Sequence, residues 1–467
     1  MPVIATPLRA QLVTTGGTVS FFAPGTSGTV QWQISTDGGA TFTNLANNAT
    51  FSGVTTRTLT VSNAGAGNGA LYRYVLTAPG GSVASNAARL TVAEAFFPMP
   101  VALATDAAGN FYVADSASDT IQRFTNAGEI TLVAGTAGQA GSADGTGAAA
   151  RFNDPSALAV APDGTVFVAD TANATLRRIS AAGVVTTLAG SATARGNTDG
   201  PGAQATFSAP AGLARDAAGV LFVADSATHT IRRVAADGTV STFAGLAGAA
   251  GTADGTGAAA RFNRPTGLAL DASGNLFVAD TTNNTLRRIT PAGAVTTLAG
   301  LAGVSGSTDG TGSGALFNGP AGVAVNGAGN VLVADTGNST IRQITPAGTV
   351  TTVAGLSGIA GLTDGTGADA WFNQPRALVA PGGEITVADT GNAALRRIAA
   401  GGVVTTLQLA RAAAPPPAVT PPAPAAPPPA SSGGGGGAPG AAFSILLPLL
   451  LLLARRARES GAGRPGR

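Results

Sequence analysis

Six prolines, Pro100, Pro155, Pro210, Pro265, Pro320 and Pro375, stand at a constant interval of 55 residues. The acid that ends a Val-Ala-Asp triplet keeps the same step at Asp115, Asp170, Asp225, Asp280 and Asp335. Its sixth copy, Asp389, falls one residue short because the turn at Pro381–Gly383 is shortened. A second acid, always followed by Gly, recurs at Asp144, Asp199, Asp254, Asp309 and Asp364, and an aromatic at Phe97, Phe152, Phe207, Phe262, Phe317 and Phe372. Such a period marks one supersecondary unit that buries its apolar faces only by stacking on its own copies.

Each copy holds four strand-like pieces; in the fourth they are GLALD, LFVAD, TLRRIT and AVTTLAG. ASGN joins the first pair and PAG the last, both turn chemistry. The 67 glycines and 11% charged residues fit short strands and many turns. Four strands per unit repeated around a ring is the composition of a β-propeller. A linear solenoid usually has a shorter period and needs capping repeats, so six copies without atypical caps favour closure into six blades over residues 95–408. VADTTNNTLRRI, then GAVTTLAG, then a Gly-rich spacer with DGTG and RFNRP, resembles the NHL-repeat propellers. His229 stands at that family's eponymous position, where the other copies carry Asp119, Ala174, Asn284, Ser339 and Ala393.

Residues 1–94 read differently, as short β-like runs (VSFFA, VQWQIST, RTLTVS, LYRYVLTA, ARLTV) of the length of a sandwich. The stretch from Val30 to Val92 resembles a bacterial immunoglobulin-like domain. The resemblance implies Trp32 as core Trp and Tyr72, within Asn68–Tyr74, as corner residue. Ala23 and Tyr74 replace the usual cysteines, so this core holds by packing alone. The expected fold class is therefore all-β: an immunoglobulin-like sandwich, a six-bladed propeller, a disordered Pro/Gly-rich linker and a short C-terminal transmembrane helix.

The linker, 409–437, contains AAAPPPAVTPPAPAAPPPASS, an extended polyproline stalk of roughly 60 Å at about 3.1 Å per residue. In 438–467 an apolar run of about 14–17 residues is short of the ~20 that cross a bilayer comfortably, and Pro448 interrupts it. Arg455, Arg456 and Arg458 follow and would stay cytoplasmic. Gly433, Gly434, Gly435, Gly436 and Gly437, the apolar run and the arginines resemble the bacterial glycine-glycine C-terminal sorting signal. That resemblance implies cleavage near Gly433–Gly440 by a rhomboid-like sorting protease; the alternative is a permanent anchor. Met1–Val13 shows no signal peptide, so an exported chain is expected to begin upstream.

The pI of 9.6 is a tail property. Five arginines against Glu459 give +4 in the last thirteen residues, leaving −2 of the total +2 for all that precedes them. A near-neutral body argues against nucleic-acid binding. With no cysteine, disulfides and thiolate metal sites are excluded.

Candidate sites follow from the repeat. In a propeller the turns between strands two and three share a face with the long spacers, and longer loops on a rigid scaffold carry binding. The acids Asp115, Asp170, Asp225, Asp280, Asp335 and Asp389, with Arg123, Arg178, Arg233, Arg288 and Arg397 eight positions on, are expected to cap turns and pair structurally; Gln343 stands in the fifth copy. Asp144, Asp199, Asp254, Asp309 and Asp364 belong to the candidate binding-face loops, with turn formation by the following Gly expected. Calcium or another divalent ion is the minor alternative there, since each loop brings one carboxylate. Trp371 departs from Arg151, Thr206, Arg261 and Leu316 at its position and is a candidate contact residue or a packing residue under its spacer. Some NHL-type propellers are lyases with zinc held by several histidines, whereas this chain has one His. Gluconolactonase-like hydrolases hold a divalent metal on acidic and Asn ligands, and no unique acid cluster maps onto them. The expected role is non-catalytic protein or glycan binding at the cell envelope or outside it, with a metal-dependent propeller hydrolase or lyase as alternative.

Overall fold

A computed structural model describes residues 2–411 apart from 5, 6, 9, 25–27, 94 and 95. The polyproline stretch, the glycine run and the C-terminal apolar and basic segments lie outside the described residues. All regular structure described is strand or short 3-10 turn, without α-helix.

The first 93 residues form two sheets. One orders Gln11–Thr14, Ala88–Ala93, Leu71–Ala78, Thr29–Ser35 and Thr43–Asn44, with Gly81–Ala84 on Leu71–Ala78; the other orders Val19–Phe22, Thr58–Val61 and Phe51–Ser52. Alternation buries every second residue of Leu71–Ala78, namely Tyr72, Tyr74 and Leu76, as expected of strands with one face on a core. Trp32 is fully buried and donates from Nε1 to Thr56 O at 2.9 Å. Phe21 stacks on Tyr72 with centroids 5.1 Å apart, and Tyr72 Oη donates back to Asn68 O at 3.0 Å. Ala23 and Tyr74 are both buried, so aromatic packing occupies the space between the sheets.

The repeats build six antiparallel sheets, each starting at its proline. In the fourth blade the strands are Pro265–Leu270, Leu276–Asp280, Thr285–Ile289 and Ala294–Ala299. A proline suits the first position of a strand, where no ladder N–H is needed. Apolar clusters bridge consecutive blades, and the last joins Ala388 and Leu395 of blade six to Leu103 and Val113 of blade one. The same closure appears in hydrogen bonds: Thr171, Thr281 and Thr336 Oγ1 donate to the next blade's proline carbonyl (Pro210, Pro320, Pro375). Thr390 donates to Pro100 O at 2.6 Å and shuts the ring.

The blades exceed the four strands expected from sequence. The Gly-Thr of a spacer adds a short antiparallel strand outside the fourth strand of the blade it leads into, as Gly255–Thr256 does on Ala294–Val295. Blade one has no preceding spacer of this kind, and there Ala410–Arg411 pairs in parallel with Glu129–Ile130. Every outer edge thus gains a partner, which blunts edge-to-edge association; in blade three this is a single bridge, Gly200 to Val240.

Candidate functional site

The repeated acids and bases occupy the interior of the blades. In blade four the Arg287 guanidinium is buried, with Nη1 2.9 Å from Asp280 Oδ2 and Nη2 2.7 Å from Asp254 Oδ1. It also donates to the carbonyls of Arg261 and Ala253 and lies 5.2 Å from the centre of the Phe262 ring. Asp280 is fully buried and accepts from Asn263 N and Asn283 Nδ2. Arg177, Arg342 and Arg396 repeat the pattern with Asp170 and Asp144, Asp335 and Asp309, and Asp389 and Asp364. In blade three Arg232 keeps Asp199 at 2.5 Å while Asp225 is 4.0 Å away.

The pairing corrects the sequence reading by one residue. The partner of each buried acid lies seven positions on, not eight. Asp280 pairs across the strands with Thr285, so Thr285 and Arg287 share its face and Arg288 points to the other. Arg178, Arg233 and Arg288 are exposed, Arg123 is half-buried, and Arg397 lies 3.5 Å from Glu384. Gln343 is therefore no exception, since Arg342 does the pairing. The exception is blade one, where Gln122 stands at the arginine position and no spacer acid precedes. Asp115 Oδ1 there accepts from Met99, Ala117 and Ser118 N, while Oδ2 has no partner among the described residues. In the other blades the acid caps no turn of its own but holds the chain entering the inner strand.

The spacer acids are half-exposed partners of the arginines rather than free loop carboxylates; Asp309 also accepts from Thr352 N and Oγ1. In Asp-Gly-Thr-Gly it is the second glycine, Gly147, Gly257, Gly312 or Gly367, that takes φ of 53–57°, while the first starts the outer strand. Burial raises the carboxyls of Asp115, Asp170, Asp225, Asp280 and Asp335, and Asp389 is pushed up to about 6 against the pull of Arg396. For Asp144 burial is outweighed by hydrogen bonds from Arg177 and Thr187, which lower it. Trp371 is half-buried under its spacer, its ring against Gly361 and its carbonyl accepting from Arg396.

A second set of residues gathers at the central channel. The residues three after each proline, Leu103, Leu158, Leu213, Leu268, Val323 and Leu378, ring a cavity of about 370 Å³. Above them the residues flanking the prolines vary from blade to blade. Those before are Met99, Asp154, Ala209, Arg264, Gly319 and Gln374; those after are Val101, Ser156, Ala211, Thr266, Ala321 and Arg376. Asp154, Arg264 and Arg376 line the cavity and are exposed, and the two arginine side chains have no hydrogen-bond or ion-pair partner among the described residues.

Asp154, Arg264, Gly319 and Gln374 all have φ between 50 and 58°. This is strained for the three with a Cβ, and more so before proline. Each is held by the preceding blade's residue at the NHL position. Asp154 N donates to Asp119 Oδ1, Arg264 N to His229 Nδ1 at 3.1 Å, Gly319 N to Asn284 Oδ1, and Gln374 N to Ser339 Oγ. Where that position is Ala174 or Ala393, the following Ala209 and Met99 have ordinary φ and donate to Asp225 and Asp115 instead. His229 is thus a backbone acceptor, lowered by burial and by Arg264. Asp154 is raised by burial and the charge of Asp119, with Arg376 opposing. No three His, Asp or Glu side chains among the described residues gather as a metal site. The sequence reading had none of Asp154, Arg264 or Arg376 among its candidates.

Models of known families match in three places: the Teneurin NHL domain at residues 80–180, the SMP-30/Gluconolactonase/LRE-like region at 142–308 and the NHL repeat at 317–344. Together with the ring of sheets they show an NHL-repeat, propeller-like fold. The chain is similar to human NHL repeat-containing protein 2, with 30% identity over 292 residues, 55% of this chain and 40% of that protein. It thus spans about 40% of the length of the curated relatives it matches first. A Bacteroides thetaiotaomicron protein of unknown function superposes with TM-score 0.50 at 18% identity, covering 85% of this chain and 99% of its own. An auxiliary nutrient binding protein of the same organism gives 0.50 at 12%, covering 86% and 99%. At these identities the likeness is one of fold.

Removing one partner of a buried ion pair costs about 3–5 kcal/mol. Arg287→Leu is therefore expected to lower unfolding stability by about that much, and Arg288→Leu by no more than about 0.5 kcal/mol. Denaturant melts of both variants check the assignment. Asp389 supplies a pH signature. Between about pH 4 and 6 the folded chain holds a proton that the unfolded chain, with the ordinary carboxyl at 3.8, has released. Its contribution thus falls as pH rises through that window and returns on acidification. Melts of the wild type and Asp389→Asn across this range should show the gap shifting toward the wild type as pH falls; a constant gap would refute the raised carboxyl.

Proposed function

We propose that this chain is a non-catalytic binding protein of the bacterial envelope or exterior, with its recognition surface on the spacer face of the propeller, centred on the channel mouth. The observation that carries the reading is the separation of two residue sets. The buried acids and arginines of the repeat are paired inside the blades, and the non-repeated Asp154, Arg264 and Arg376 stand exposed over a cavity. Strained backbone at Asp154, Arg264 and Gln374 supports it, because glycine serves the fold at the same position in blade five. The spacers also expose Leu246, Leu301, Val304, Leu356 and Ile359, apolar surface open to a protein partner. The first 94 residues are proposed as an immunoglobulin-like module, supported by buried Trp32 and the Tyr72–Asn68 hydrogen bond.

A second reading, a metal-dependent hydrolase of the gluconolactonase kind, is favoured by the family match at 142–308. The residues do not suit its metal: in five blades the recurring acids are bound to arginine, and no three His, Asp or Glu side chains converge among those described. Metal analysis of the purified full chain, with lactone turnover, separates the two. The binding reading expects substoichiometric divalent metal and no turnover that a chelator abolishes; stoichiometric metal with chelator-sensitive turnover overturns it.

The C-terminal segment is proposed as a removable sorting signal that releases or re-anchors the chain at the envelope. Its support is the order of glycine run, short apolar run and arginines. The intact mass of the mature protein should place its C-terminus between Gly433 and Gly440; a mature chain ending at Arg467 would instead mean a permanent anchor.

A further inference from the structure

The charges at the channel mouth are arranged with a direction. Arg264 belongs to blade four and Arg376 to blade six, and between them blade five lines the cavity with Gly319, Ala321, Gly322, Val323 and Thr336, none of them charged. The sector between two free guanidinium groups is therefore uncharged, with room for a group that accepts from both. Opposite, in blade two, stands Asp154, supported from behind by Asp119. Guanidinium forks match carboxylate geometry, and a carboxylate favours an ammonium group. A simple anion would satisfy one side and be repelled by the other. The aliphatic ring adds apolar contact, and the hydroxyls of Ser156, Ser226, Thr266, Thr281 and Thr336 line the same cavity. Its volume of about 370 Å³ lies in the range of small-molecule pockets rather than of a macromolecular groove.

We infer that the mouth takes a short zwitterionic peptide with free ends, its carboxylate between Arg264 and Arg376, its ammonium at Asp154 and its side chains on the aliphatic ring. The inference rests on the binding reading above and names the ligand class of that site. The two arginines and Asp154 stand on alternate blades around one cavity, so a ligand that serves both signs of charge carries an anionic and a cationic end.

Calorimetric titration of the purified full chain with L-leucyl-L-leucine tests this, alongside its N-acetyl form, its C-terminal amide and cellobiose. The free dipeptide should bind, and each capped form should bind at least about tenfold more weakly, a charged hydrogen bond being lost. Arg264→Ala and Arg376→Ala should each weaken the free dipeptide by a similar factor while leaving the amide unchanged. Asp154→Asn should remove the preference for the free over the N-acetylated form. All three side chains are exposed and without hydrogen-bonded partners among the described residues, so melting curves should show folded variants. Recovery of intact dipeptide after incubation keeps the binding reading separate from a hydrolytic one. Equal binding of free and capped peptides, binding indifferent to the three substitutions, or no peptide binding overturns the inference. If cellobiose binds instead and the substitutions weaken it, the mouth remains a recognition site and only the peptide assignment fails.

Discussion

A guanidinium held between two carboxylates over a phenyl ring sets the geometry of five of the six blades. Taking an arginine fully out of water costs several kcal/mol unless its donors are met. Arg287 meets those of Nη1 and Nη2 with two acids and two backbone carbonyls, drawn from the end of strand two, the spacer and the segment just before the inner strand, while its Nε–H has no partner among the described residues. Backbone bonds such as Arg261 N to Ala253 O and Gly251 N to Phe262 O join the spacer to the segment before the inner strand, and the guanidinium ties both to strand two. A hydrophobic side chain in this place would tolerate sliding, whereas a fork of donors accepts only one arrangement of its partners. The spacer is thus pinned over its blade, and its Gly-Thr is placed to cover the outer edge. Blade one shows the dependence in reverse: no spacer acid precedes it, its arginine is Gln122, and its outer edge is covered by Ala410–Arg411.

The repeat spacing made the strands, the turns and the ring legible, because a 55-residue period with four alternating apolar runs leaves little else to build. It did not by itself select the right arginine. Both arginines of TLRRIT repeat with the same step, so periodicity cannot choose between them. Strand parity can: Asp280 opposes Thr285, and only every second residue from there shares its face. The pattern of exceptions carried the same information, since Arg177, Arg232, Arg287, Arg342 and Arg396 match the five spacer acids and Gln122 matches the missing one.

The channel mouth was harder to see for a physical reason. A residue before proline is expected in extended backbone, so nothing in the letters Asp154-Pro or Arg264-Pro announces a left-handed conformation that lifts the side chain to the rim. The conformation depends on a contact from the neighbouring blade. His229, Asn284, Ser339 and Asp119 each accept the backbone N–H of the left-handed residue 35 positions on. Where alanine removes the acceptor, the backbone returns to ordinary φ. The residue at the NHL position therefore acts through the backbone of the next blade, and its identity is free to vary among side chains that carry a lone pair.

Six like blades make a frame that presents like groups around an axis, and a ligand without that symmetry can be recognised only where the likeness is broken. Departures elsewhere, such as the blade-three spacer and Trp371, are absorbed by packing and backbone contacts. At the mouth they are not absorbed. Arg264 and Arg376 flank a blade that contributes no side-chain charge, and Asp154 stands on the blade opposite it. The aliphatic ring beneath keeps sixfold likeness with one Val among five Leu, so it supplies contact area without orientation. Direction then comes from three charges alone, and a ligand bound there must be polar along its length to gain from all of them.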